Sequence, residues 1–194
     1  MFGLTKDRLG EKSFSISCQL QINSGEVVYI TGPSGAGKSV LLRELEKSMP
    51  ASERINLDEI ELAENKTVID CIDGDIVEGL GLLSMAGLNE VYCALSRPVD
   101  LSDGQKYRFR LAKALDSGRK YIFGDEFCSN LDRITAAVIS YNVQKFAKRR
   151  DVTFILAGTH DDILGDLCPD VLVVKELSGP AEVIYKKGLI DAEL

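Results

Sequence analysis

Residues 32–39, Gly32-Pro33-Ser34-Gly35-Ala36-Gly37-Lys38-Ser39, leave this chain few choices of fold. They match the spacing G-x-x-x-x-G-K-[ST]. Residues 26–30 (EVVYI) before them are an apolar run of strand length, and residues 40–47 after them have helical spacing that Pro50 stops. A strand feeding a glycine-rich turn that opens a helix aims successive backbone N–H groups at one point. With the positive helix end, those donors form an anion site that needs no charged side chain. Such a loop lets Gly32, Pro33, Ser34, Gly35, Ala36, Gly37, Lys38, Ser39 and Val40 surround nucleotide phosphates. Lys38 then reaches the β- and γ-phosphates, and the Ser39 hydroxyl ligates Mg²⁺.

Around the loop, strand-like and helix-like segments alternate. Residues 12–22 put Phe14, Ile16, Cys18, Leu20 and Ile22 on one face of a half-buried strand, and 23–25 turn into the loop strand. Residues 54–62 read as a strand with an acidic rim, and 65–66 as a turn. Asp75, with Glu78 three residues on, predicts a helix start, and Gly87 its end. A short helix over 89–95 stops before Pro98, and another covers 102–116. Residues 121–123 read as a buried strand. Asp132 predicts the cap of a long helix with Ile134, Ala137, Val138, Tyr141 and Phe146 on one apolar stripe. Residues 152–157, 171–174 and 182–185 complete the strands. The alternation gives an α/β fold with a largely parallel sheet, and 194 residues suit one domain, 1–194.

Composition excludes some partners. A net charge of −7 argues against broad adhesion to nucleic acid or anionic lipid. Two local basic groups, Lys106, Arg108, Arg110 and Lys113, then Lys145, Lys148, Arg149 and Arg150, read as solvated helix surface and helix C-terminal charge. No apolar run approaches a membrane span, and the first residues lack the apolar core of a secretion signal. Direct membrane insertion is therefore not expected. The five cysteines, odd in number and without a C-x-x-C, predict reduced thiols in a cytoplasmic protein.

Two further segments carry chemistry. Residues 121–126 (YIFGDE) are an apolar strand ending in two carboxylates. Beside a phosphate loop, Asp125 can hold Mg²⁺ directly or through water, and Glu126 can orient or deprotonate a water for in-line attack. Gly124 is small for its position, and nothing in the sequence accounts for it. Residues 101–105 (LSDGQ) open a helix whose free N–H groups, with the Ser102 hydroxyl and Gly104, make a second anion site. One phosphate does not need two distant helix ends of one subunit, so the second is assigned to a partner's nucleotide.

The segments GPSGAGKS, LSDGQ, YIFGDE, SNLD and TH, in this order over about 25–160, resemble those of the ABC-class ATPases. By that resemblance 32–39 is Walker A and 121–126 is Walker B. Leu101, Ser102, Asp103, Gly104 and Gln105 are the signature, followed at 106–115 by a segment resembling the family's next helix. Ser129, Asn130, Leu131 and Asp132 look like the D-loop. His160, the chain's single histidine, resembles the switch residue that contacts the γ-phosphate. The resemblance implies a P-loop NTPase sheet flanked by helices, with a signature lobe inserted over about 66–118. It also implies ATP and Mg²⁺ as cofactors, and an ATPase with Lys38, Glu126 and His160 as catalytic groups. The chains would form an ATP-dependent head-to-tail homodimer, with Asn130 and Asp132 across its interface.

The sequence departs from that family in three places. No glutamine lies between Walker A and the signature; Glu59, Glu61 and Glu64 are the candidates to replace the family's Q-loop residue. The interval from Lys38 to Leu101 is shorter than in transporter subunits, so the antiparallel β or helical lobe is reduced. The adenine-stacking aromatic is absent: its position falls near Arg8 or Leu9, while Phe14 fits core packing, which leaves ATP against GTP open.

The Q-loop and helical lobe are where transporter subunits engage their membrane partner. Their reduction, and a likeness of 101–115 and 125–136 to soluble modules beside acetyltransferase-like domains, lead to the first expectation, an ATPase driving a soluble partner. The alternative is the ATP-hydrolysing subunit of a transporter paired with a transmembrane permease. A non-hydrolysing, ATP-gated dimerisation module is opposed by Asp125, Glu126 and His160.

Overall fold

The computed structural model describes residues 20–186. Six strands, β1 (Val27–Thr31), β2 (Arg54–Asn56), β3 (Tyr121–Gly124), β4 (Thr153–Ala157), β5 (Val171–Val174) and β6 (Glu182–Tyr185), form one sheet in the order β2-β3-β4-β1-β5-β6. Strands β1 to β5 run parallel, and β6 closes one edge antiparallel to β5. The helices are α1 (Lys38–Ser48), α2 (Ile76–Met85), α3 (Val91–Leu95), α4 (Asp103–Asp116), α5 (Arg133–Arg150) and α6 (Leu164–Leu167).

Alternate residues of the central strands enter two different cores. Val27, Tyr29, Ile122, Phe154 and Leu156 pack toward α2, α4, α5 and α6. Val28, Ile30, Phe123, Ile155 and Ala157 pack with Leu41 and Leu42 of α1. Burial on both faces is why these strands are unbroken apolar runs in the sequence rather than alternating ones.

The helix starts follow local capping chemistry. Asp75 accepts from the Glu78 N–H at 2.8 Å, and Asp132 from the Thr135 N–H at 3.0 Å. Ser102 and Gln105 form a reciprocal capping box on α4.

Elsewhere the structure corrects the sequence reading. Of residues 12–22, 12–19 lie outside the described residues, as do Arg8, Leu9 and Phe14, and 20–22 carry no strand. The strand expected over 54–62 stops at Asn56, whose side chain accepts from the Asp58 N–H at 3.0 Å and starts a 3₁₀ turn at Leu57–Glu59. On α5 the expected stripe is mostly exposed: Ile134 is 79% and Tyr141 50% accessible. The face that packs inward holds Ala136, Ile139, Ser140, Val143, Phe146 and Ala147. Of the expected stripe Phe146 alone is buried; the inward face is itself apolar, with Ile139, Val143 and Phe146 interleaved with the small Ala136, Ser140 and Ala147.

The parallel arrangement has one consequence for function. The C-terminal ends of β1, β2, β3 and β4 share one edge of the sheet, where an open α/β sheet places its ligand.

Candidate functional site

The phosphate loop connects β1 to α1. Gly32 has φ +140°, and a Cβ there would lie 2.0 Å from the Lys175 carbonyl oxygen, so only glycine lets the loop leave the sheet at that point. Gly35 and Gly37 have φ +81° and +92°. Gly37 is the N-cap of α1 and supplies no side chain to that helix's free N–H groups. Those donors remain available for an anion, whose charge the helix dipole favours. Lys38 is 9% accessible, and its ammonium donates to the carbonyls of Gly32 (2.7 Å) and Pro33 (3.0 Å).

A cavity of about 440 Å³ opens over this loop. Ser34, Gly35, Gly37, Lys38, Ser39 and Val40 line it from one side. Asp125, Glu126 and Ser129 after β3, and Gly158 and Thr159 after β4, line it from the other. Among the described residues no three His, Cys, Asp or Glu side chains converge to hold a metal unaided. Ser39 and Asp125 on one cavity instead suit Mg²⁺, which binds through few protein oxygens together with phosphate oxygens and water. His160 sits one residue beyond Thr159; it is exposed beside the cavity rather than in its lining.

The turn after Asp125 is held in an unusual backbone. Glu126 and Cys128 have φ +46° and +60°, in the left-handed region non-glycine residues seldom adopt. Its surroundings fix it. The Glu126 N–H donates to Asp125 Oδ1 (3.0 Å), and that of buried Phe127 to the Ala157 carbonyl (2.8 Å). The Cys128 N–H donates to the Tyr107 hydroxyl (3.3 Å). Burial pushes the Cys128 thiol up to about 12. Gly124 now has an explanation: a Cβ would lie 2.9 Å from Leu57 Cδ1 and 3.3 Å from Leu156 Cδ2.

The signature residues stand apart from the phosphate cavity. Among the described residues that line it, none comes from 101–105. Leu101 is buried, while Ser102 and Asp103 are exposed at the α4 N-terminus. Gly104 packs against the next loop, since a Cβ there would lie 3.3 Å from both the Asn130 carbonyl oxygen and Leu131 Cδ2. Asp132 is occupied as the α5 cap, and its bonds to Thr135 lower its pKa.

A second cavity of about 370 Å³ shares Asp125, Glu126 and Ser129 with the first, and adds Asp58, Asp103, Lys106, Arg110 and Asn130. Asp58 is a residue the sequence reading missed. It, rather than Glu59, Glu61 or Glu64, is the carboxylate of its segment that lines this cavity. Burial first, then the neighbouring Asp125 carboxylate, raises its pKa. The available signal was Asn56, a turn-starting residue two positions earlier. Three cations of the basic group on α4 are engaged internally. Arg108 donates to Gly87 O (2.8 Å), Arg110 to Ile60 O (3.2 Å) and Lys113 to Cys71 O (2.5 Å). These bonds staple the helix to the segments around it.

The sequence matches a family model described as "ABC transporter" over residues 17–77. It is 31% identical to the lipoprotein-releasing system ATP-binding protein LolD of Protochlamydia amoebophila, covering 78% of this chain and 82% of that protein. It is 27% identical to the methionine import ATP-binding protein MetN of Vibrio vulnificus, covering 86% of this chain but 57% of MetN, so it spans little more than half of that relative. In three dimensions it is similar to a dimeric ATP-binding cassette, MJ0796, solved in a post-hydrolysis state with ADP and Pi. That match has TM-score 0.70 and 20% identity, and covers 88% of this chain and 89% of the other.

Proposed function

Because the chain belongs to the ABC family of ATPases, we propose that it is the ATP-binding and ATP-hydrolysing subunit of a membrane transporter, working as a head-to-tail homodimer docked on a transmembrane permease. The observation that carries this reading is an apolar groove on the helical segment between β2 and β3. Ile69, Ile72, Ile76, Leu80, Val91 and Leu95 line about 400 Å³ there. Ile76, Val91 and Leu95 are 71, 72 and 64% accessible, which an isolated domain has no reason to maintain. That segment lies where the resemblance puts the permease contact. The names of the LolD and MetN relatives support a permease over the soluble, acetyltransferase-like partner expected from sequence. Among the described residues no helix is long and apolar enough to cross a membrane.

The proposed chemistry follows from the cavity. The α1 N–H groups and Lys38 bind and orient the triphosphate, so that its terminal phosphate faces β3 and β4. Mg²⁺ held by Ser39 and Asp125 would neutralise charge on the phosphate oxygens during transfer. Glu126 accepts a proton from the attacking water, and His160 donates to the γ-phosphate. The signature at 101–105 completes the site of the second subunit, which explains why it lies off its own phosphate cavity.

Tagged Glu126→Gln, held in MgATP and captured from detergent-solubilised native membranes, tests the reading. Hydrolysis should fall by at least about 100-fold, the usual scale for a lost general base. A multi-span membrane protein should co-purify, and Leu95→Asp in the groove should release it. Recovery of a soluble enzyme instead, or capture undiminished by Leu95→Asp, would refute it.

A further inference from the structure

The strand that feeds the phosphate loop also grips the His160 turn. The Tyr29 hydroxyl donates to the His160 carbonyl at 3.0 Å, and the Thr31 hydroxyl to Asp161 Oδ1 at 2.6 Å. Between them the Ile30 carbonyl accepts from the Gly158 N–H at 3.0 Å. Three consecutive residues of β1 therefore bind three of the four residues 158–161, and the residue that follows the strand, Gly32, begins the phosphate loop.

The fit is specific in shape. Tyr29 is 0% accessible, and a Cβ on Gly158 would stand 2.4 Å from its hydroxyl oxygen. A full-sized tyrosine in the middle of a buried strand is thus matched by a glycine just past the end of the neighbouring one. Burial raises the Tyr29 phenol above its usual range, so it stays a neutral donor at every working pH.

We infer that Tyr29 and Thr31 are positioning residues that hold the His160 turn in fixed register with the phosphate loop, so that histidine and phosphate site move as one body. The inference rests on the reading of His160 as a γ-phosphate contact. Neither residue lines the phosphate cavity. Their effect passes through His160 alone, which makes it separable from a general loss of stability.

The test uses the fact that His160 is the only histidine in the chain, so histidine-selective labelling of the intact protein gives a single imidazole signal set. Tyr29→Phe should shift and broaden that set with MgADP bound. It should lower kcat about five- to tenfold, the scale of one net hydrogen bond, with KM for ATP within about twofold. In a His160→Ala background the same substitution should cost nothing further, because its route has been removed. Thr31→Val, which removes only the Asp161 bond, should act in the same direction and carries the test should Tyr29→Phe fail to fold. An unchanged imidazole set, or an undiminished kcat loss in the His160→Ala background, would overturn the inference. Full activity of His160→Ala alone would instead overturn the role of His160, while the imidazole signal still reports whether the clamp positions the turn.

Discussion

Gly124→Ala adds one methyl group where β3 hands over to Asp125. The new Cβ would lie 2.9 Å from Leu57 Cδ1 and 3.3 Å from Leu156 Cδ2, against about 3.5–4.0 Å for a relaxed carbon contact. Both leucines are buried, at 1% and 0% accessibility, so neither has solvent to move into. Leu57 would have to retreat by roughly 0.6–1 Å within a packed core. Such overpacking costs about 1–3 kcal/mol. For a chain of this size that lowers Tm by about 2–12 °C. The damage should also reach the site, because Leu57 precedes Asp58, and Gly124 precedes Asp125. We therefore expect a reduced kcat beside the lowered melting temperature. Adding Leu57→Ala returns the missing space, so the double variant should lose less stability than the two single variants summed. Thermal melts of the four proteins, paired with steady-state ATP hydrolysis, measure both effects. A Gly124→Ala protein melting within about 1 °C of the parent, or strict additivity in the double variant, would show that this contact does not require glycine.

Three further outcomes follow from the site. Lys38→Ala should abolish measurable ATP binding by calorimetry while leaving the melting temperature of the unliganded protein nearly unchanged. Ser102→Arg should bind MgATP with normal affinity yet remain a monomer in size-exclusion chromatography, because 101–105 lie off the cavity of their own subunit; normal dimerisation would discredit the head-to-tail arrangement. Alkaline pH should destabilise the fold, since burial holds the Cys128 thiol near about 12 and raises Tyr29 and Tyr107 too. The unfolded chain releases these protons first, at about 8.5 for cysteine and about 10 for tyrosine. Stability present below those values is therefore lost as pH climbs toward 12, and urea midpoints at pH 8 and 10.5 should show the fall, with Cys128→Ala reducing it.

Much of the architecture was legible because it is written locally. Asp75, Ser102 and Asp132 each cap the helix their position predicts, since a cap depends only on a side chain and the N–H group two or three residues on. The central strands were legible because burial on both faces leaves them almost wholly apolar, with Thr31 and Thr153 only at strand ends. The α5 face was not. Ile134, Val138 and Tyr141 share a helical stripe as well as the buried Ala136, Ile139, Val143 and Ala147 do, and only the placement of the neighbouring elements decides between the two faces. The short β2 failed for a related reason: apolar residues continue past Asn56, but its side chain turns the backbone first.

At the site the same division separates motif from environment. The order of Lys38, Asp125, Glu126 and His160 along the chain could be read directly, but not what fixes each of them. Gly124 looked arbitrary because its reason, Leu57, sits 67 positions away in the turn just after the adjacent strand. Asp58 was passed over for three nearby glutamates because nothing in one dimension says which acid follows the end of β2. Gly104 against Asn130 is the most consequential of these hidden contacts. It joins the residues proposed to meet the partner's nucleotide to a loop that begins at Ser129, whose N–H donates to the Glu126 carbonyl at 2.9 Å. A displacement of the α4 N-terminus by a neighbouring subunit would press on Asn130, and Ser129 beside it is bonded to the main chain of Glu126, the residue proposed to activate water. In the proposed head-to-tail dimer, occupancy of one site would then bear on hydrolysis at the other through this packing contact and this hydrogen bond.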